Sequence, residues 1–189
     1  IQATTDYTLT GRLNSRKGQS YKLKLRPDSD LNGNPFSAKS TAGMWLELTD
    51  SDGNSFPISW GSKKQSATAS HTCEAETAAA STALRHEGVP AQHLLAIIFG
   101  HPIDMEFLED NSACIIAIKK VYSPAMRYLP RHQRIALSVL HELTEDKSNN
   151  VDGDITVIKA ATADHKGDMF TKALDITKFH AALKMIGVG

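Results

Sequence analysis

The chain has 189 residues, 41% hydrophobic and 22% charged, a balance that excludes a disordered or fibrous chain and suits one domain with a full hydrophobic core. Its 21 Lys and Arg are matched by 21 Asp and Glu, so no global basic field draws it to a polyanion, and any nucleic-acid surface has to be local. Apolar runs such as 94–100 are too short to span a bilayer, and no segment has the form of a secretion signal.

Residues 1–20 are polar and Thr-rich and read as a flexible lead or the tail of a preceding region, with the folded domain at 21–189. Residues 21–25 alternate polar and apolar, the period of a half-buried strand. They run into Arg26-Pro27-Asp28-Ser29-Asp30 and Asn32-Gly33-Asn34-Pro35, whose turn-forming residues predict a loop. Strands are predicted at 41–48 and 56–63, joined through Asp50 to Gly53 into an antiparallel meander. From 72 to 87 the chain is Ala-rich without Gly or Pro, which predicts a helix. Gly88-Val89-Pro90 interrupts it, and a further helix is predicted over 91–99.

A short strand over 105–108 ends at Glu109-Asp110, and a helix follows over 112–119. Past Pro124 and Pro130, His132, Ile135, Ala136, Val139, Leu140 and Leu143 share one helical stripe. Residues 154–160 alternate as a last strand. Two short helices are predicted near 168–174 and at 178–186. The second has Thr177 as its expected N-cap, Phe179, Leu183 and Ile186 as its buried stripe and Gly187 as its stop. A meander followed by alternating helices and strands predicts an α/β layer fold with parallel strands. Cys73 and Cys114 lack metal-ligand spacing and are expected as free buried thiols in a reducing, intracellular setting.

Candidate chemistry lies in acids at element ends: Asp28 after the first strand, Glu76 in the Ala-rich helix, Asp110 after the fourth strand and Asp168 before a late helix. Strand ends are the usual place for a site in such a sheet. Carboxylates that converge repel one another unless a divalent cation neutralises them, and hard oxygen ligands suit Mg²⁺. Helix geometry separates Glu74 from Glu76, because two residues turn about 200°. Glu76 shares its face with Ala79, Ala80, Ala83 and Leu84, and Glu74 shares a more polar face with Ala78, Ser81 and Arg85. Glu76 is therefore the acid expected to face the sheet.

These residues sit in a longer pattern. Asp28-Ser-Asp30, Lys39-Ser-Thr41 and Gly43 are followed by Ser59-Trp60-x-Ser62-Lys63-Lys64-Gln65 and Cys73-Glu-Ala-Glu76. Asp110-Asn111 and Asp168-x-x-Thr171-Lys172-x-Leu174 complete it. In this order they resemble the ribonuclease H region of copia-type retrotransposon polyproteins, over about residues 23–187. The chain departs from that pattern at Leu31-Asn32, at Thr77 and around Met126 to Ile135.

The resemblance implies a ribonuclease H-like fold, a five-stranded mixed sheet of antiparallel meander plus parallel strands, flanked by helices. It implies an endonuclease that cuts the RNA strand of RNA–DNA hybrids during reverse transcription, linked to an upstream reverse transcriptase, in the cytoplasm (a retroelement particle) or nucleus. Asp28, Glu76, Asp110 and Asp168 would be its catalytic metal ligands, holding two Mg²⁺ with Mn²⁺ able to substitute, in the two-metal pattern of phosphodiester hydrolysis. His165, in the loop before Asp168, is a further catalytic candidate, as a proton shuttle. Hybrid recognition through the 2′-OH and groove shape would fall to Ser29, Asn111 and the backbone at Asn32, Gly33 and Asn34. Lys39, Lys63, Lys64, Arg127, Arg131 and Arg134 are candidate phosphate contacts. Trp45 and Trp60 are read as core. The alternative is an inactive or domesticated module of the same fold that binds nucleic acid without cutting.

Overall fold

The computed structural model describes residues 6–31, 33, 38–66, 68–121 and 131–189, with the side chains of 131–135, 149 and 163 left aside. Strands β1 (Tyr21–Asp30), β2 (Thr41–Asp50) and β3 (Ser55–Lys64) form the meander. Helix α1 (Thr72–Ala83) leads into α2 (Val89–Phe99), and then come β4 (Met105–Glu109), α3 (Ser112–Lys120), α4 (Arg131–Glu145), β5 (Ile155–Lys159) and α5 (Ile176–Ile186). The sheet order is β3-β2-β1-β4-β5. β1 and β3 run antiparallel to β2, whereas β4 is parallel to β1 and β5 is parallel to β4.

Period-two alternation decides which face each strand residue serves. Leu23, Leu25, Leu46, Leu48, Met105 and Phe107 point to the helical side, where they meet Ala80, Ala83, Leu84, Ile118 and Leu140 in one core. The opposite face carries Arg26, Trp45 and Glu47, joined to one another and covered by residues 165–171.

Local expectations fail at four places. β1 continues through Pro27 to Asp30 instead of ending at 25. Past Leu25 it is paired only with β2, so Pro27 stands where one side of the strand is unpaired and a missing N–H is tolerated. Gly88-Val89-Pro90 does not break the helix: Leu84–Gly88 forms a π-helical turn that joins α1 to α2. The wider turn accommodates Pro90. Gly88 lets it lie against the sheet, since a Cβ there would come within 2.9 Å of Leu25 Cδ2. The helix expected at 168–174 is only a 3₁₀ turn, Asp168–Phe170. α5 begins earlier than expected, capped by Asp175, whose carboxylate accepts from Lys178 N, and not by Thr177.

Part of the leading segment lies on the body of the domain. Leu9 bridges Val188, Arg12 N donates to Ser55 O, and Leu13 packs on the core. Cys73 and Cys114 are buried thiols. Trp45 is buried, but Trp60 is half exposed and tilts against it, so only the first of the two is a core residue. No helix of the described residues is long and apolar enough to cross a membrane.

Candidate active site

The end of the central strand supplies the first acid. Successive residues of β1 point to opposite faces, so Asp28 and Ser29 place a carboxylate on one side of the sheet end and a hydroxyl on the other; both are buried. β4 stops beside them and delivers Asp110, half-buried, just past its last residue. On the helical side α1 lies close because its inner positions are small: Ala75, Ala79, Ala80 and Ala83 are all buried. That approach carries Glu76 to the strand ends. On the other side Gly43 of β2 admits the late loop, where a Cβ would stand 2.6 Å from Thr171 Cγ2. This packing brings in Asp168 and His165.

The result is two clusters that share Asp28. One carboxylate oxygen from each of Asp28, Glu76 and Asp110 lies within 4.8 Å of the others, and the same holds for ligand atoms of Asp28, His165 and Asp168. An open pocket of about 460 Å³ is lined by Asp28, Ser29, Glu76, Asp110, Asn111 and Lys172.

Electrostatics show how poorly the protein itself satisfies this charge. Burial pushes the Asp28 carboxyl up to about 6, helped by Asp168 and Asp110 and opposed by the Thr171 hydroxyl, which donates to Oδ2, and by Lys172. Burial and the charges of Glu109, Asp28 and Asp110 push Glu76 up to about 9, against the Ser29 hydroxyl. Glu76 Oε2 is buried without a hydrogen-bond partner among the described residues. Lys172 is the cation at hand: its Nζ is 2.8 Å from Asp168 Oδ1 and 3.7 Å from Asp28 Oδ1. Hard, under-neutralised oxygens around an orphaned carboxylate atom fit divalent cations. Asp28, Glu76 and Asp110 would hold one, and Asp28 and Asp168 a second.

Glu74 is also buried, contrary to its expected polar face. Its carboxylate turns back to accept Ser70 N at 2.7 Å, a helix-start role away from the acid clusters. His165 is likewise buried rather than a surface loop histidine, and burial lowers its pKa against a hydrogen bond to Leu108 O.

Glu109 is the residue sequence reasoning passed over. It is fully buried, Oε1 accepts Asn111 N at 3.0 Å and Oε2 has no partner among the described residues. Burial pushes it up to about 8. The signal was present: alternation puts it on the same face as Met105 and Phe107.

Asn111 lines the pocket while its Oδ1 caps α3 through Ala113 N and Cys114 N. Lys63 and Lys64 are exposed at the end of edge strand β3 and do not line the acid pocket. They border a separate pocket of about 340 Å³ with Gln65, Arg85 and His86. Lys39 is half-buried just before β2, and Gly33 is exposed. Asn32, Asn34 and Arg127 lie outside the described residues, as do the side chains of Arg131 and Arg134.

Among solved structures, the chain is similar to the ribonuclease H1 of the halophilic archaeon Halobacterium salinarum, at 18% identity and TM-score 0.47 over 78% of this chain and 92% of that one. It is also similar to LC11-RNase H1 in complex with an RNA/DNA hybrid, at 16% identity and TM-score 0.45 over 79% and 94%. The protease–reverse transcriptase of prototype foamy virus matches at 13% identity and TM-score 0.43 over 94% of this chain and 22% of that one. On its own strand order and directions, the fold is ribonuclease H-like. No protein-family model and no curated protein sequence matches the chain.

Proposed function

We propose that the chain is a metal-dependent endonuclease that hydrolyses the RNA strand of RNA–DNA hybrids, as its sequence resemblance to copia-type retroelements implies. The observation that carries this reading is Asp28, shared between two ligand clusters at the end of the central strand, beside a Glu76 oxygen that no described residue satisfies. Two cations around a shared carboxylate are the arrangement needed for in-line displacement at phosphorus. When bound they polarise the phosphate and neutralise the charge that builds there.

The chain's own groups do the rest. Asp28, Glu76, Asp110 and Asp168 hold Mg²⁺, with Mn²⁺ as a substitute. The buried Thr171 hydroxyl holds Asp28, and the more exposed Lys172 ammonium holds Asp28 and Asp168. Ser29, Asn111 and the backbone at Asn32, Gly33 and Asn34 are assigned to hybrid contact, and Lys39, Lys63, Lys64 and Arg131 to the phosphates. Residues 21–189 form the nuclease unit in this reading, downstream of a reverse transcriptase.

A labelled RNA–DNA hybrid incubated with Mg²⁺ and with EDTA tests the proposal. Cleavage confined to the RNA strand and lost in EDTA supports it. Equal cutting of duplex DNA, or full activity in EDTA, overturns it. The second reading, a module that binds hybrid without cutting, rests on Lys172, whose ammonium already bridges Asp28 and Asp168. Binding with no cleavage at any Mg²⁺ or Mn²⁺ concentration would select it.

A further inference from the structure

We propose that His165 is a nitrogen ligand of the second cation, making the Asp28–His165–Asp168 half of the site selective for Mn²⁺ over Mg²⁺; this rests on the metal-dependent reading above. A ring nitrogen of His165 lies within 4.8 Å of carboxylate oxygens from both Asp28 and Asp168. The ring is 2% exposed, so it is fixed in place by its surroundings. Nε2 is 3.2 Å from the carbonyl oxygen of Leu108. A carbonyl only accepts, so Nε2 carries the proton and the neutral ring leaves its lone pair on Nδ1. Nδ1 is buried and has no partner among the described residues.

A histidine that donates one ring nitrogen to a backbone carbonyl and leaves the other bare is oriented as a metal ligand. The three donors are then two carboxylate oxygens and one imidazole nitrogen. Mg²⁺ takes oxygen donors in strict octahedral geometry. Transition metals accept imidazole, so a mixed set shifts preference toward them. The other cluster, Asp28, Glu76 and Asp110, offers oxygen alone, so the two halves are chemically unequal. Lys172 holds the second place with its ammonium here, on a side chain 41% exposed that can swing outward to admit the ion.

The test titrates the full chain with MnCl2 and with MgCl2 by calorimetry, and examines the Mn²⁺ form by pulsed electron paramagnetic resonance. Two Mn²⁺ should bind, with a directly bound ¹⁴N coupling that becomes a ¹⁵N coupling when the histidines are ¹⁵N-labelled. His165→Gln should remove the coupling and weaken the second Mn²⁺ at least about tenfold, leaving the first Mn²⁺ and Mg²⁺ affinity close to wild type. Two-bond ¹H–¹⁵N spectra of the wild type need no variant: Nε2 should be protonated, and the Nδ1 signal should broaden as MnCl2 is added. Two bound Mn²⁺ with no nitrogen coupling, or the opposite tautomer, overturns the role of His165 while the carboxylate site stands. Failure to bind either ion overturns both readings.

Discussion

Glu47 and Glu76 are carboxylates buried to almost the same degree, 2% and 4% exposed, on opposite sides of one sheet, and their environments drive them in opposite directions. Glu47 receives Arg26 Nη1 at 2.5 Å, Lys166 Nζ at 2.5 Å and Trp45 Nε1 at 2.9 Å. Although burial alone would raise its pKa, these partners hold it below the usual carboxylate value. Glu76 has other acids around it and an oxygen with no partner among the described residues, and it is pushed up to about 9. Burying a carboxylate is costly unless it is paired. The chain supplies the counter-ions for Glu47 from its own sequence, and at the Glu76 oxygen it supplies none among the described residues.

The largest expected effect breaks the comparison on the unpaired side. Glu76→Gln keeps the shape and loses the charge, and a site that fails to hold its cation forfeits several kcal/mol of charge stabilisation. Hybrid cleavage should fall by more than about a hundredfold, with circular dichroism and hybrid binding unchanged. Retained cleavage would remove Glu76 from the site.

Next comes the paired side. Glu47→Ala strands Arg26 and Lys166 as buried charges and should cost about 3–5 kcal/mol, a drop in Tm of roughly 10 °C for a chain of this size. Lys166 stands two residues before Asp168, so cleavage should weaken as well. A Tm within a degree or two of wild type would show that the buried pair contributes little.

Metal-free stability should depend on pH in a way that sharpens the contrast. Glu76 and Glu109, at about 9 and about 8, stay protonated in the folded protein where the unfolded chain has ionised them. The folded state then binds more protons. Its stability is fully present below the unfolded value of about 4.3 and is lost as pH rises through 8 and 9, by at most about 1.4 kcal/mol per pH unit for each group. Saturating Mg²⁺ should flatten that slope, because a bound cation favours the ionised form. A metal-free Tm that rises between pH 6 and 9 would contradict these shifts.

The smallest effect belongs to Glu74→Gln. Its carboxylate accepts one backbone N–H at the start of α1, so the change should cost on the order of 1 kcal/mol and leave cleavage near wild type.

What was legible in the sequence follows from the range of the forces involved. β2, β3, β4 and β5 were legible close to their true bounds, because runs of strand-forming residues bounded by turn residues are a local signal. β1 was cut short at Pro27, since tolerance of a missing N–H depends on which neighbour strand is paired there, and that is not a local property. The resemblance placed Asp28, Glu76, Asp110 and Asp168, and helix phase told Glu76 from Glu74. Helix phase could not show that Glu74 would be buried too. Glu109 and the burial of His165 depend on contacts between distant segments, Leu108 with His165 and Glu109 with Glu76. Only the alternation of Met105, Phe107 and Glu109 hinted at the first of them.

The central claim is that the acids at the sheet end are incomplete until a cation arrives, and proton release on Mg²⁺ binding tests it most directly. Calorimetric titration of the metal-free chain at pH 7, in two buffers of different ionisation enthalpy, counts the protons given up. The carboxyls of Glu76 and Glu109, held protonated by burial and by neighbouring acids, should lose theirs to the cation, releasing roughly one to two protons in wild type and about one fewer in Glu76→Gln. Mg²⁺ uptake with no proton release, or no uptake at all, would contradict the account.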